Sequence, residues 1–197
     1  MRLVAVENVS VDGVMQSPGR PDEDTRGGFD RGGWAQRHLS RDPEGAQASM
    51  QGQGRTAGLL FGGRTYRDLV GFWLGTDQPN PFADVRRATP KYVATRSGAG
   101  DLPFPNSEAL LGEAAETVAR LRARDDDGDL VLLGSGSLLH ALQAADLVDA
   151  YVLTVVPVVL GGGMPLFGPG AAAADLEVAR SVTSDAGTVV VEYRVRR

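Results

Sequence analysis

The sequence predicts a mixed α/β protein, a mainly parallel sheet flanked by helices and closed by a C-terminal antiparallel hairpin. Two patterns carry this reading. A short apolar run, a glycine turn and a helical segment follow one another at 57–70 and again at 130–145, as expected where a strand hands the chain to a crossover helix. The last stretch instead holds two strand-like runs, Leu176 to Val182 and Thr188 to Val195, separated by Ser184-Asp185-Ala186-Gly187. That is hairpin chemistry.

Taken in order, Leu3 to Val11 is β-branched and loosely alternating, a strand that Asp12-Gly13 ends with a turn. Gln16 to Gly33 is rich in Gly, Pro, Asp and Arg, with almost no apolar periodicity. A stretch of this length is usually a functional loop or mobile lid, and on composition disorder fits equally well. Asp42-Pro43-Glu44 marks a helix start, with Asp as N-cap and Pro in the first turn, and the helix is expected to run to about Gly54. Ala57 to Phe61 reads as a strand, Gly62-Gly63 as a turn and Arg64 to Val70 as a helical turn.

Lys91 to Thr95 is a strand fenced by Pro90 and Ser97-Gly98, and Ala114 to Arg124 places Ala115, Val118 and Leu121 at helical spacing. The acidic run Asp125-Asp126-Asp127-Gly128-Asp129 reads as a solvated loop, because consecutive Asp side chains diverge and the Ca²⁺-loop ligand pattern is absent. Leu130 to Leu133 is a buried strand leading through Gly134-Ser135-Gly136-Ser137 into a helix from Leu138 to Ala145. Ala150 to Val159 is a long apolar strand whose Pro157 implies an edge, a bulge or a non-standard peptide, and Leu160 to Pro165 is a glycine loop. With no internal repeat and no linker, residues 1–197 read as a single domain.

Of the 197 residues, 42% are hydrophobic and 23% charged, enough for one sizeable core. The formal charge of −5 and the absence of a basic stripe argue against nucleic acid as a partner. Zero Cys and two isolated His, His38 and His140, exclude thiolate chemistry and make a resident metal improbable. No apolar run approaches membrane-spanning length, so a soluble, cytoplasmic protein is expected.

The chemistry therefore points to a bound cofactor. Gly134-Ser135-Gly136-Ser137 brings small residues from a buried strand to a helix start, where backbone N–H groups can approach a pyrophosphate. A tight strand-to-helix turn needs glycine for structural reasons as well, and the third glycine of the dinucleotide fingerprint is missing. Gly62-Gly63-Arg64-Thr65 is a second such turn, carrying a guanidinium and a hydroxyl, and Thr95-Arg96-Ser97 follows a third strand with groups apt for a 2′-phosphate. Anion-binding groups at three strand ends are expected to converge, since ligands of α/β sheets collect beyond the carboxyl ends of the strands.

These motifs, with Val9-Ser10-Val11-Asp12-Gly13, Gly32-Gly33-Trp34, Leu147-Val148-Asp149, Pro157 to Gly163 and Pro165-Leu166-Phe167, occur in an order and spacing that resemble the dihydrofolate reductase-like superfamily. The branch is that of the riboflavin-biosynthesis reductase domain. The resemblance runs nearly end to end and implies an eight-stranded sheet with NADPH across the strand ends. It further implies that Gly62, Arg64 and Thr65 lie beneath the cofactor phosphates and that Thr95 and Arg96 meet the 2′-phosphate. Gly134, Ser135, Gly136, Ser137 and Leu138 would hold the pyrophosphate, and Asn8 and Met15 would cover the nicotinamide. Gly63 departs from the Arg often found there in the family.

Folate-reducing members use a carboxylate early in the second helix. Asp42 and Glu44 are the nearest candidates, with helix capping as their competing role, and Thr154 falls where those members keep a threonine beside the acid. Trp34, Tyr66 and Trp73 could line a substrate pocket or equally belong to the core. The resulting expectation is an NADPH-dependent homodimeric reductase that transfers a hydride to a C=N or C=O bond of a small, pteridine- or pyrimidine-like substrate. The alternative is a non-catalytic nucleotide-binding dimer that keeps the fold. A short-chain dehydrogenase is disfavoured, because no Tyr-x-x-x-Lys pair occurs.

Overall fold

A computed structural model describes residues 1–50, 55–74, 83–96, 98, 100–124 and 127–197. The end of the predicted helix at Gly54, Ser97 of the phosphate cluster and Asp125-Asp126 of the acidic run lie outside the described residues. Eight strands form one mixed sheet in the order β4 (Ser107–Leu111), β3 (Lys91–Thr95), β2 (Thr56–Gly62), β5 (Asp129–Leu132), β1 (Arg2–Ser10), β6 (Ala150–Val156), β8 (Val189–Val195) and β7 (Leu176–Thr183). The chain divides into two compact units, Met1–Ala5 with Gly54–Val148, and Val6–Gln53 with Asp149–Arg197.

The first unit is the parallel part. It contains the start of β1 (Arg2–Ser10), β2 (Thr56–Gly62), β3 (Lys91–Thr95), β4 (Ser107–Leu111) and β5 (Asp129–Leu132). Leu3 pairs with Leu130, Leu60 with Leu132, and Phe61 with Val93, all parallel. These apolar residues are nearly all fully buried, as expected for strands covered on both faces. Their connections are the helices the sequence suggests, α6 (Ala114–Arg122) and α7 (Gly136–Ala144). On α6, Val118 and Leu121 are buried at helical spacing.

Three elements of this unit carry weak sequence signals. The Gly62-Gly63 turn opens α3 (Gly63–Thr65), which continues through a π-helical stretch (Tyr66–Val70) into α4 (Gly71–Leu74), so the helix is longer than Arg64 to Val70. The short α5 (Ala83–Ala88) and the edge strand β4 have little apolar periodicity to announce them. What fixes them is Lys91. Its side chain is fully buried, and Nζ donates to the carbonyls of Arg87, Thr89 and Pro105 at 3.0–3.3 Å. Burial pulls the Lys91 ammonium below its ordinary range, and the three carbonyls supply the acceptors its charge requires.

The second unit is the antiparallel part, holding the end of β1, β6 (Ala150–Val156), β7 (Leu176–Thr183) and β8 (Val189–Val195). Tyr151 pairs with Tyr193 and Thr154 with Val190, and β7 with β8 forms the predicted hairpin. β6 ends at Val156, so Pro157 follows the strand that the sequence carries on to Val159. Two short helices, α1 (Trp34–Leu39) and α2 (Pro43–Met50), complete the unit. The sequence does not announce α1, because Gly33 stands before it in the left-handed region with no side-chain cap.

The 16–33 segment is ordered by buried polar side chains. Gln16 and Ser17 are almost wholly buried. The Gln16 amide donates to the carbonyls of Asp24 and Arg26 and accepts from the Met164 N–H at 2.8 Å. Ser17 Oγ donates to the Arg20 carbonyl and accepts from the Asp24 N–H. Val14, Phe29, Trp34, Ala35, Val156 and Leu160 form the apolar cluster beneath. Among the described residues, no helix is long and apolar enough to cross a membrane.

Lys91→Met would keep the side-chain volume and strand three buried carbonyls. A loss of about 2–3 kcal/mol in urea unfolding is expected. Parental stability of this variant would show that Lys91 does not hold the first unit's α5–β3 corner.

Candidate functional site

In the first unit, the carboxyl ends of β3, β2 and β5 lie side by side. Gly62 pairs with Ala94 across β2 and β3, and the Gly62 N–H donates to the Gly134 carbonyl at 3.2 Å. The two glycine turns are thus packed against each other. A Cβ on Gly62 would stand 2.6 Å from Ser135 Oγ, and Gly134 has φ +86° with Thr65 against it. Gly134 requires glycine for its conformation, and a Cβ at Gly62 would have to displace the Ser135 hydroxyl.

Helix α7 begins just beyond, at Gly136, with no side chain capping its first turn. Its unpaired N–H groups and positive dipole end are the anion-binding features of a helix start. Ser135 Oγ and Ser137 Oγ lie 3.1 Å apart at this end, and Leu138 is buried behind them. On β3, Thr95 Oγ1 donates to the Gly98 carbonyl, and Arg96 makes a loose 3.4 Å pair with Glu113 in which both side chains are mostly exposed. An exposed pair of this kind is worth little, so the guanidinium can exchange its partner for a phosphate. Arg64 is exposed on the first helical turn after Gly62. Glycine cradle, hydroxyls, uncapped helix start and exchangeable guanidinium fit the phosphates of a dinucleotide.

Of the aromatic candidates of this unit, Tyr66 belongs to its core and Trp73 is half-buried. Tyr66 is buried, its hydroxyl donating to Ser107 Oγ at 2.9 Å and accepting from the Phe104 N–H, with Phe61 and Phe104 edge-on to its ring. Trp73 packs edge-on to Phe61, with Arg86 over its face. Their sequence signal, aromatics near a glycine turn, does not separate a pocket wall from a core.

In the second unit, Asp42 is buried and its carboxylate is occupied. Oδ1 accepts the Gly45 N–H at 2.9 Å, which caps α2, and Oδ2 accepts the hydroxyls of Ser184 at 2.7 Å and Thr188 at 2.5 Å. His38 Nε2 lies 3.0 Å from Thr188 Oγ1 and 3.7 Å from Asp42 Oδ2. The hydroxyls of Thr188 and Ser184 hold this carboxyl below its usual range. These are the contacts of a helix cap and of a clamp on the β7–β8 turn. Glu44 is exposed and accepts the Asp185 N–H, while Thr154 is buried on β6. Sequence reasoning missed Ser184, Thr188 and His38, because partners about 140–150 positions away leave no local signal.

Asp12 works in the same way. Its carboxylate accepts Ser10 Oγ at 2.6 Å and the N–H groups of Leu160 and Gly161, and these bonds, led by that from Ser10, lower its pKa to about 2. Beside it, the Met15 N–H donates to the Met164 carbonyl and its side chain is buried. Trp34 is buried in the apolar cluster and donates its indole N–H to the Gln16 carbonyl. Asn8 is half-buried on β1.

A mainly parallel sheet with an antiparallel hairpin and a glycine cradle at the strand ends defines a dihydrofolate reductase-like protein. Residues 2–190 match the RibD C-terminal domain, and the chain belongs to that family. The solved structure of a putative riboflavin biosynthesis protein from Shewanella sp. PV-4 is similar over 100% of both chains, at 21% identity and a TM-score of 0.65. A dihydrofolate reductase from Enterococcus faecalis, solved with NADP(H), is similar over 100% of this chain and 97% of its own, at 15% identity and a TM-score of 0.60. YwjB of Bacillus subtilis strain 168 is 29% identical over 76 residues, which span 39% of this chain and 42% of YwjB.

Asp42→Ala removes a cap and the acceptor of two buried hydroxyls, and a loss of about 2–4 kcal/mol in urea unfolding is expected. The folded-state pKa of Asp42 lies below the unfolded one. Its contribution is therefore complete above the ordinary value of 3.8 and is lost as pH falls through the lower folded value. Asp42→Asn should flatten that acid limb; an unchanged limb would remove the assignment.

Proposed function

We propose that the protein is an NADPH-dependent reductase of a small, pteridine- or pyrimidine-like substrate, acting on a C=N or C=O bond. The observation that carries this reading is the interlocked Gly62 and Gly134 turns beside an uncapped helix start, with Thr65, Ser135, Ser137, Thr95 and Arg96 around them. The substrate class follows the relatives. One solved structure of similar fold is a pyrimidine reductase-like protein of Corynebacterium diphtheriae, with a TM-score of 0.64 at 14% identity, and another is the dihydrofolate reductase.

NADPH, when bound, supplies the hydride. Gly62, Thr65 and Gly134 to Ser137 would hold its pyrophosphate, and Thr95 and Arg96 its 2′-phosphate. Asp42 is ionised at neutral pH and engaged on both oxygens, which favours bound water as the source of the balancing proton. Catalysis in the cytoplasm by a homodimer completes the proposal. Within the chain, β6 is buried except at half-buried Val155, and the exposed apolar side chains of this unit that a second copy could cover include Val11, Val159, Phe167, Leu176 and Val178. A mass of about 20.7 kDa by light scattering would contradict the dimer.

NADPH is expected to bind at least about tenfold more tightly than NADH, and Arg96→Ala to remove most of that preference. Equal affinity of the parent for both cofactors would overturn the Arg96 assignment. Gly136→Val should abolish NADPH binding while the chain stays folded; a titration like the parent's would place the cofactor elsewhere. Tight NADPH binding without turnover on a panel of imines and carbonyls would favour the non-catalytic alternative.

A further inference from the structure

The second unit contains a cleft of about 400 Å³ between the 26–31 stretch and the 160–163 loop. Its walls include Arg26, Phe29, Asp30, Arg31 and Leu160, with three successive glycines, Gly161 to Gly163. We propose that this cleft binds a small oxyanion-bearing ligand, a carboxylate or a phosphate monoester, with an apolar body. The inference goes beyond the reductase reading, which rests on the glycine turns of the first unit.

Charge is the first argument. The chain carries a formal −5, yet this cleft is lined by the guanidinium groups of Arg26 and Arg31, with the Asp24 carboxylate paired to Arg26 and Asp30 beside Arg31 in sequence. Arg26 is held by a forked pair with Asp24, its Nε to Oδ1 at 2.8 Å and its Nη2 to Oδ2. The Arg31 guanidinium has no ion pair or hydrogen bond among the described residues, so its charge is available. Asp12 keeps its negative charge, and its carboxylate accepts Ser10 Oγ and the N–H groups of Leu160 and Gly161, which leaves the next N–H, that of Gly162, to a ligand. Gln16 faces the cleft with both ends of its amide occupied, holding the 24–26 carbonyls and Met164, so it shapes the walls.

Gly162 is the second argument. It has no positive φ, and a Cβ added there would meet nothing within 4 Å. Neither backbone conformation nor packing within the chain therefore requires glycine at this position. Its N–H has no acceptor among the described residues. A bare backbone wall with an available donor opposite a guanidinium suits close approach of an oxyanion. Phe29 and Leu160 line the cleft and, being nearly buried, present only small apolar edges to the rest of the ligand.

The test uses the full chain without NADPH, so its outcome is separate from that of the reductase reading. Phenyl phosphate, benzoate and uncharged benzyl alcohol are titrated by calorimetry and by amide chemical shifts. Saturable binding of phenyl phosphate or benzoate, with none of benzyl alcohol, is expected, and the anion that binds identifies the source. Arg31→Gln should weaken that binding at least tenfold and Gly162→Leu should abolish it, while Arg120→Gln, at an exposed position of α6, should leave it unchanged. Absence of binding by both anions, or parental binding by Arg31→Gln, overturns the proposal. Should Gly162→Leu fail to fold, Arg31→Gln decides alone.

Discussion

Every buried backbone N–H and C=O must find a partner, and the two units meet this demand by different means. In the first, parallel ladders from β4 to β1 pair most of the backbone directly. In the second, long irregular segments lack such ladders, and side chains take over. Asp12 serves the 160–161 backbone, Gln16 joins Asp24, Arg26 and Met164, Ser17 closes the 17–24 turn, and Asp42 ties α2 to the last hairpin. Gln16, Ser17 and Asp42 are polar groups whose burial is tolerated only because their bonds are complete.

The same demand explains why composition misleads at 16–33. A stretch rich in Gly, Pro, Asp and Arg has too little apolar surface to order itself by burial, and disorder is the natural reading. Here order comes from a few side chains that each satisfy several backbone groups, and from Phe29 and Trp34 anchoring the stretch and the helix after it in the apolar cluster. Two anchors do not make a period, so no periodicity test could find them. The polar anchors are equally hidden, because a buried Gln looks like an exposed one until its partners are known.

Elements built from contiguous apolar residues were legible in the sequence. The ends of β3, the start of α6 and the β7–β8 hairpin fall within about a residue of their expected positions. The strand-end glycines were legible for the same local reason, since Gly62 and Gly134 stand where a strand gives way to a helix. The illegible parts all depend on distant residues: α5 and β4 lean on Lys91, Tyr66 turns inward to Ser107, and Asp42 meets Thr188 across 146 positions. A local motif states what a residue can do, and long-range packing decides which of its possible roles it takes. For Asp42 the motif allowed either an acid or a cap.

That distinction sorts the polar side chains of the molecule. Asp12, Gln16, Ser17 and Asp42 are buried or fully engaged, their oxygens directed at the chain's own donors. Around the Gly62 and Gly134 turns the situation is reversed. Ser137 and Arg96 are exposed, Ser135 is only half-buried, Arg96 is held by one loose pair, and the first turn of α7 has no side-chain cap. A helix start left uncapped among hydroxyls costs stability, since capping it would contribute about 1 kcal/mol. The cost is offset where a ligand supplies the missing acceptors, which is why this end of the first unit, rather than the richer hydrogen-bond network of the second, is the place to look for a phosphate-bearing cofactor.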